Sequence, residues 1–188
     1  MEIRKVLAHL GNQYHCNTKV FVPQTVSLDR IKSIYQENGE IILVDGNYDK
    51  TLQIAKKESE LNNWKLITNN TWDGYTQIPM DIMCGYSTIF REFELQYQQF
   101  KHNGPITHLM IQAGTGGLAA CASIWSYLNK NNTNIWCKDL KMIIVEPMIC
   151  DGIYQKVQNG VNTDIVYKNY STMTGLNCVF PVILLGLY

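Results

Sequence analysis

The stretch Thr107–Leu128, THLMIQAGTGGLAACASIWSYL, constrains the fold more than any other part of the chain. His108-Leu109-Met110-Ile111 is a short apolar run of the kind that makes a buried strand. Gly114-Thr115-Gly116-Gly117 cannot continue it, and from Leu118 the spacing becomes helical, with Leu118, Cys121, Ala122, Trp125 and Leu128 on one face. A strand, a glycine turn and a helix in that order let backbone N–H groups approach an anion, and the positive end of the helix dipole favours a phosphate there. The stretch therefore points to a phosphate-bearing ligand. A tight βα turn that needs glycine only for its geometry has the same spacing.

The preceding segments alternate in the same sense. Residues 2–14 have helical spacing, with Ile3, Val6, Leu7 and Leu10 on one face and Gly11 as C-cap. Lys19–Val22 reads as a strand stopped by Pro23. Ser27 is the expected N-cap of a helix through Asn38, with Ile31, Ile34 and Tyr35 inward and Gly39 closing it. Glu40–Val44 is a second strand, Asp45-Gly46-Asn47-Tyr48-Asp49 turns into a helix carrying Leu52, Ile54, Ala55 and Leu61, and Trp64–Thr68 is a third strand. Alternation of this kind implies βαβ units and a parallel sheet. A polar, aromatic loop at Asn69–Tyr75 marks a boundary, so residues 1–70 form a small α/β domain and residues 71–188 a second, larger one. The second opens with a helix from Pro79 that turns Ile82, Met83, Tyr86, Ile89, Phe90 and Phe93 inward. After the glycine turn come an Asn-rich loop (Asn129–Asn134), a strand at Leu140–Val145, a short helix around Cys150–Gln158 and a weak strand at Asp164–Tyr167.

Composition narrows the function classes. Sixteen basic residues balance sixteen acidic ones, so no electrostatic surface for nucleic acid or membrane is expected. No apolar run reaches the ~18 residues of a membrane span, and the N-terminus lacks a signal-peptide core, which points to the cytoplasm. Six cysteines without CxxC spacing read as buried free thiols, with no metal site. Gly114–Ala119 fits G-x-G-x-x-A, which raises a nicotinamide-dinucleotide reading with Glu146 on a ribose. That glutamate, however, lies 32 residues past Gly114, where ~20 is usual. His9, His15, His102 and His108 have structural surroundings. No lysine has the desolvated or cation-flanked sequence that a Schiff base needs.

Larger stretches carry a resemblance. WDGYTQIPMDIMCGYSTIFRE (72–92), THLMIQAGTGGLAA (107–120), MIIVEP (142–147), STMTGLNC (171–178) and, upstream, KVFVPQTVSLDRIKSIYQENGEIILVDGNYDKT are similar to the diaminopropionate ammonia-lyase family. These are fold-type II pyridoxal-phosphate enzymes related to threonine synthase and the tryptophan synthase β chain. The resemblance implies three-layer α/β/α parallel sheets of the tryptophan synthase β-like kind, in incomplete form. It implies pyridoxal 5'-phosphate with its phosphate cradled by Gly114, Thr115, Gly116, Gly117 and Leu118, and Tyr48, Trp72 and Tyr75 on the substrate side. The substrate would be the small amino acid 2,3-diaminopropionate, eliminated to pyruvate and ammonia. Relatives are commonly dimers, so a homodimer or a partner chain is expected.

Three departures from the family pattern shape the functional expectation. The family's Schiff-base lysine and Asn-His-Gly loop belong to a segment before Met1, and its last strands to one after Tyr188. The family's acid–base aspartate matches Asn69, an amide that cannot exchange a proton as a carboxylate does. The expected protein is therefore a truncated or degenerate lyase that keeps the phosphate turn, binds the cofactor without a covalent lysine and has no catalysis of its own. A non-catalytic, subunit-like protein that needs a partner is the alternative, with FPVILLGLY at the terminus as its exposed apolar segment.

Overall fold

The computed structural model describes residues 3–100, 104–160, 165 and 171–178. His102, the strand expected over Asp164–Tyr167 apart from Ile165, and the terminal FPVILLGLY lie outside the described residues. The chain divides into two compact units, Met1–Thr68 and Asn69–Tyr188.

In the first unit, α1 (Ile3–Gln13), β1 (Lys19–Pro23), α2 (Leu28–Tyr35), β2 (Glu40–Val44) and α3 (Tyr48–Leu61) follow in order. β1 and β2 pair in parallel from Lys19↔Glu40 to Pro23↔Val44, as a strand–helix–strand crossover requires. The core is Ala8, Val20, Val22 and Ile34, with Val26 and Ile41 packed against it. Complete burial of a valine such as Val22 contributes about 1.5–3 kcal/mol. α1 meets this core through Ala8, while Leu10 is exposed. Gly11 is not a cap: it lies inside the helix, buried against Thr18. α2 stops at Tyr35, short of Asn38, and left-handed Asn38 (φ 60°) turns the chain where Gly39 was expected to close it. Tyr35, expected inward, is the last residue of the helix and is 74% exposed.

Asn47 caps α3, its Oδ1 accepting from Lys50 N at 3.0 Å. Thr51, Ala55 and Ser59 form the buried face of α3, and Leu61 is exposed. Trp64–Thr68 does not join the ladder as a third strand. The Trp64 N–H instead closes the end of α3 on Ser59 O at 2.8 Å, after left-handed Asn63. Its ring lies under Lys19 Nζ, 5.0 Å from the centroid.

The second unit contains α4 (Gln77–Tyr97), β3 (Ile106–Gln112), α5 (Gly117–Leu128), β4 (Trp136–Val145), α6 (Gly152–Asn159) and a 3-10 turn at Thr174–Leu176. β3 and β4 are parallel. α5 is buried through a run of small residues, Ala119 to Ser123, so that both of its sides pack closely. Cys121 and Ala122 meet Phe90 of α4 together with Leu109, Ile111 and Met142, while Ala119 meets Ala113 and Ile153. The helical spacing extends further than the cover: Leu128 (69%), Ile89 (52%) and Phe93 (38%) are exposed although they lie on the expected inner faces. Cys121 and Cys150 are buried thiols as expected, but Cys16 and Cys84 are exposed.

β4 begins four residues before the expected Leu140, at Trp136, one of the most buried side chains. Glu94 Oε1 accepts the indole N–H of Trp125 at 2.8 Å and that of Trp136 at 2.5 Å, tying α4, α5 and β4 together. Between the pairs Ile106↔Trp136 and His108↔Lys141, one residue of β3 faces four of β4, so β4 bulges there. Among the described residues, no helix is long and apolar enough to cross a membrane.

Candidate functional site

The glycine turn stands at the C-terminal end of β3, where ligands of open parallel sheets are usually held. Ala113 N still donates to Val145 O at 3.0 Å, so the turn starts from a fixed strand end. Gly116 takes φ 91°, a left-handed conformation that favours glycine, and occupies the N-cap of α5 with no side chain to offer. Ala120 N closes the first helical bond on Gly116 O at 2.8 Å. The N–H groups of Gly117, Leu118 and Ala119 therefore have no acceptor within the helix. They lie at the positive end of a twelve-residue helix.

Three walls stand against this turn. A Cβ on Gly114 would lie 3.1 Å from Gly175 O and 3.2 Å from Leu176 Cα, so the backbone of the Ser171–Cys178 loop packs directly on it. That loop is fixed by Asn177, which accepts from Ser171 N and donates to Ser171 O, both at 2.9 Å, and accepts from Cys150 Sγ at 3.2 Å. Ile153 of α6 approaches Gly116, and the ring of Tyr86 on α4 approaches Gly117. Burial pushes the Tyr86 phenol above its ordinary pKa, and the nearby Cys121 adds to the rise.

Asn69 meets the turn from the loop before α4: its Nδ2 donates to Thr115 Oγ1 at 3.2 Å. Two residues on, Thr71 Oγ1 is buried with no hydrogen-bond partner among the described residues. Trp72 and Tyr75 then form an antiparallel bridge around Gly74 (φ 80°), with their rings stacked 4.2 Å apart at 11°. Tyr48 belongs to the first unit, where it opens α3 with the Arg4 guanidinium 5.6 Å from its ring centroid. The structure thus brings Asn69 onto the Gly114–Leu118 turn and pairs Trp72 with Tyr75.

Sequence reasoning missed the work of Glu146. Its two oxygens accept from Ile153 N (3.0 Å) and Tyr154 N (2.9 Å), filling the N-terminal donors of α6. Burial raises the Glu146 carboxyl above its ordinary pKa; the two backbone bonds pull it down and Asp151 adds to the rise. The backbone wall at Gly175–Leu176, Tyr86 and Ile153 were also missed as parts of the site. Only the similarity of STMTGLNC to the family marked the first of these.

The chain is similar to known proteins in sequence and in fold. The chain is 31% identical to the diaminopropionate ammonia-lyase of Escherichia coli K12 over 180 residues, 93% of this chain and 42% of that protein. It is also 31% identical to the Salmonella typhimurium enzyme of the same name, over 95% of this chain and 43% of that one. The E. coli lyase crystallised with an aminoacrylate-PLP azomethine reaction intermediate superposes with a TM-score of 0.80 at 31% identity, covering 96% of this chain and 44% of that one. A processed threonine deaminase from Solanum lycopersicum, 21% identical, shares the fold with a TM-score of 0.72, over 96% of this chain and 47% of that one. The α/β architecture with parallel strands is thus that of the fold-type II enzymes. The chain spans under half the length of the curated relatives it matches. The model of the family described as "Pyridoxal-phosphate dependent enzyme" matches residues 5–185, and this chain belongs to that family.

Proposed function

We propose that this chain captures pyridoxal 5'-phosphate non-covalently through Gly114–Leu118, and that it does not by itself carry out the ammonia elimination for which its relatives are named. The observation that carries the reading is the open N-terminus of α5, where left-handed Gly116 leaves three backbone N–H groups without acceptors in the helix. The donor set fits a phosphate dianion: backbone N–H groups, the Thr115 hydroxyl and a helix dipole of the right sign. The groups against the turn are amide, phenol, thiol, backbone and hydrocarbon, none of which places a negative charge on the phosphate seat. When bound, the cofactor would supply an electron sink for chemistry at the Cα of an amino acid.

Asn69 stands where the family's acid–base aspartate is expected, and its amide holds Thr115 instead of moving a proton. Trp72 and Tyr75, as a rigid stacked pair, and Tyr48 are assigned to the substrate side. The second unit is assigned the cofactor role and the first the role of the small domain. A cytoplasmic setting, a small amino acid such as 2,3-diaminopropionate as ligand, and a homodimer or a partner chain complete the reading.

Titration of the full chain with pyridoxal 5'-phosphate tests it. Saturable binding that inorganic phosphate competes away is expected, with no mass increase after borohydride reduction. Pyruvate should form from 2,3-diaminopropionate no faster than with free cofactor. A borohydride-fixed adduct, or pyruvate formation well above the free-cofactor rate, would overturn the non-catalytic reading. Absence of any phosphate-competed binding would overturn the cup itself.

A further inference from the structure

We infer that Asn69 is a positioning residue for phosphate capture, and that its side-chain amide directs the Thr115 hydroxyl proton toward the bound anion. The inference rests on the cofactor reading above and goes beyond it by giving the amide at position 69 a role of its own. Asn69 and Thr115 are 46 positions apart, yet Nδ2 lies 3.2 Å from Oγ1. An amide N–H only donates, so it fills a lone pair of the hydroxyl oxygen. The single hydroxyl proton then has to go to some other acceptor. Thr115 stands between Gly114 and Gly116, next in sequence to Gly117, Leu118 and Ala119, whose N–H groups have no acceptor within the helix, so the helix end that follows it offers donors as well. An anion is the partner that such a set of donors takes.

A carboxylate at position 69 would reverse this polarity. Ionised aspartate only accepts, so it would draw the Thr115 proton to itself and place a negative charge beside the phosphate. The amide and the acid therefore act in opposite directions on one hydroxyl. In this chain, exchanging an acid for an amide removes a proton carrier and adds a donor to the cup.

The test uses the full chain with three probes: inorganic phosphate, pyridoxal 5'-phosphate and phosphate-free pyridoxal. Asn69→Asp should weaken the two phosphate-bearing probes about ten- to a hundredfold near neutral pH, leave pyridoxal unchanged, and recover as acid protonates the new carboxyl. Asn69→Ala should weaken phosphate binding in the wild-type and Thr115→Ser backgrounds, which keep the hydroxyl, and have no further effect in the Thr115→Val background. Thermal unfolding establishes that each variant is folded, and the Asn69→Ala cycle carries the test if the charged variant is not. Equal loss from Asn69→Ala with and without the Thr115 hydroxyl overturns the inference, as does wild-type phosphate affinity in folded Asn69→Asp. If the wild-type chain takes up neither phosphate nor cofactor, the cofactor reading fails, and this inference fails with it.

Discussion

The two strand-to-helix turns of the second unit make an instructive pair. β3 leads into α5 and β4 into α6 at the same end of one parallel sheet, so both helices present their positive ends there. At α6, Glu146 reaches back from the strand end and takes the N–H groups of Ile153 and Tyr154. At α5, glycine occupies the N-cap and no side chain does so. The dipole is common to both; what separates them is whether the chain fills its own helix end. An open helix end flanked by fixed walls can serve a ligand, whereas a filled one serves stability.

The largest effect should come from Gly114→Ala. Its methyl would meet backbone at Gly175 and Leu176, which cannot step aside as a side-chain tip can. We expect about 1–3 kcal/mol of destabilisation and at least about a tenfold loss of pyridoxal 5'-phosphate affinity. Thermal unfolding and titration that both match the wild type would refute the close seating of the 171–178 loop on the turn.

Next in size is Glu146→Ala, which strips two donors of α6 of their acceptor. A loss of about 1–2 kcal/mol in stability is expected, with cofactor affinity at the α5 end changed less than about twofold. A parallel collapse in affinity would mean that the two helix ends do not work separately. Gly116→Ala should cost about 1 kcal/mol from its left-handed backbone, and its methyl would meet only the tip of Ile153, 3.1 Å away. Ile153→Val should recover part of that loss in an unfolding experiment.

The smallest effect concerns pH. Burial outweighs the backbone bonds at Glu146 and raises its folded pKa, so its stabilising contribution is full below the ordinary value of 4.5 and declines as pH rises through the raised one. Glu146→Gln, which does not ionise, should flatten the dependence of Tm on pH across that interval. An unchanged slope would refute a burial-dominated shift.

The residues of the glycine turn were legible because their pattern is local: an apolar run, four positions that break it, and a new period beginning at Leu118. The paired strands β1, β2 and β3 were legible for the same reason. Trp64–Thr68 has the composition of a strand, but a strand exists only where a neighbour pairs with it, and the Trp64 N–H closes α3 instead. Leu10, Ile89 and Leu128 show a related limit, since spacing defines a helix face and only packing decides how much of it is covered. The contact of Asn69 with Thr115 spans 46 positions and could not be read from either segment alone. A ribose role for Glu146 was raised by its place at a strand end and opposed by its spacing from Gly114, and its two bonds to α6 emerge only when the chain returns upon itself.

The bulge in β4 bears on how this chain could change in length. Trp136 is anchored to Glu94, and Lys141 stands in register with His108, so Cys137, Lys138, Asp139 and Leu140 connect two fixed points with more chain than the partner strand uses. That slack would let an insertion or a deletion of one residue be absorbed between 137 and 140 while Leu109–Gln112 keep their pairing with Met142–Val145. The same change after Lys141 would turn every following side chain to the opposite face and carry Glu146 away from α6. Tolerance to altered length is thus set at one end of the strand, and intolerance at the other.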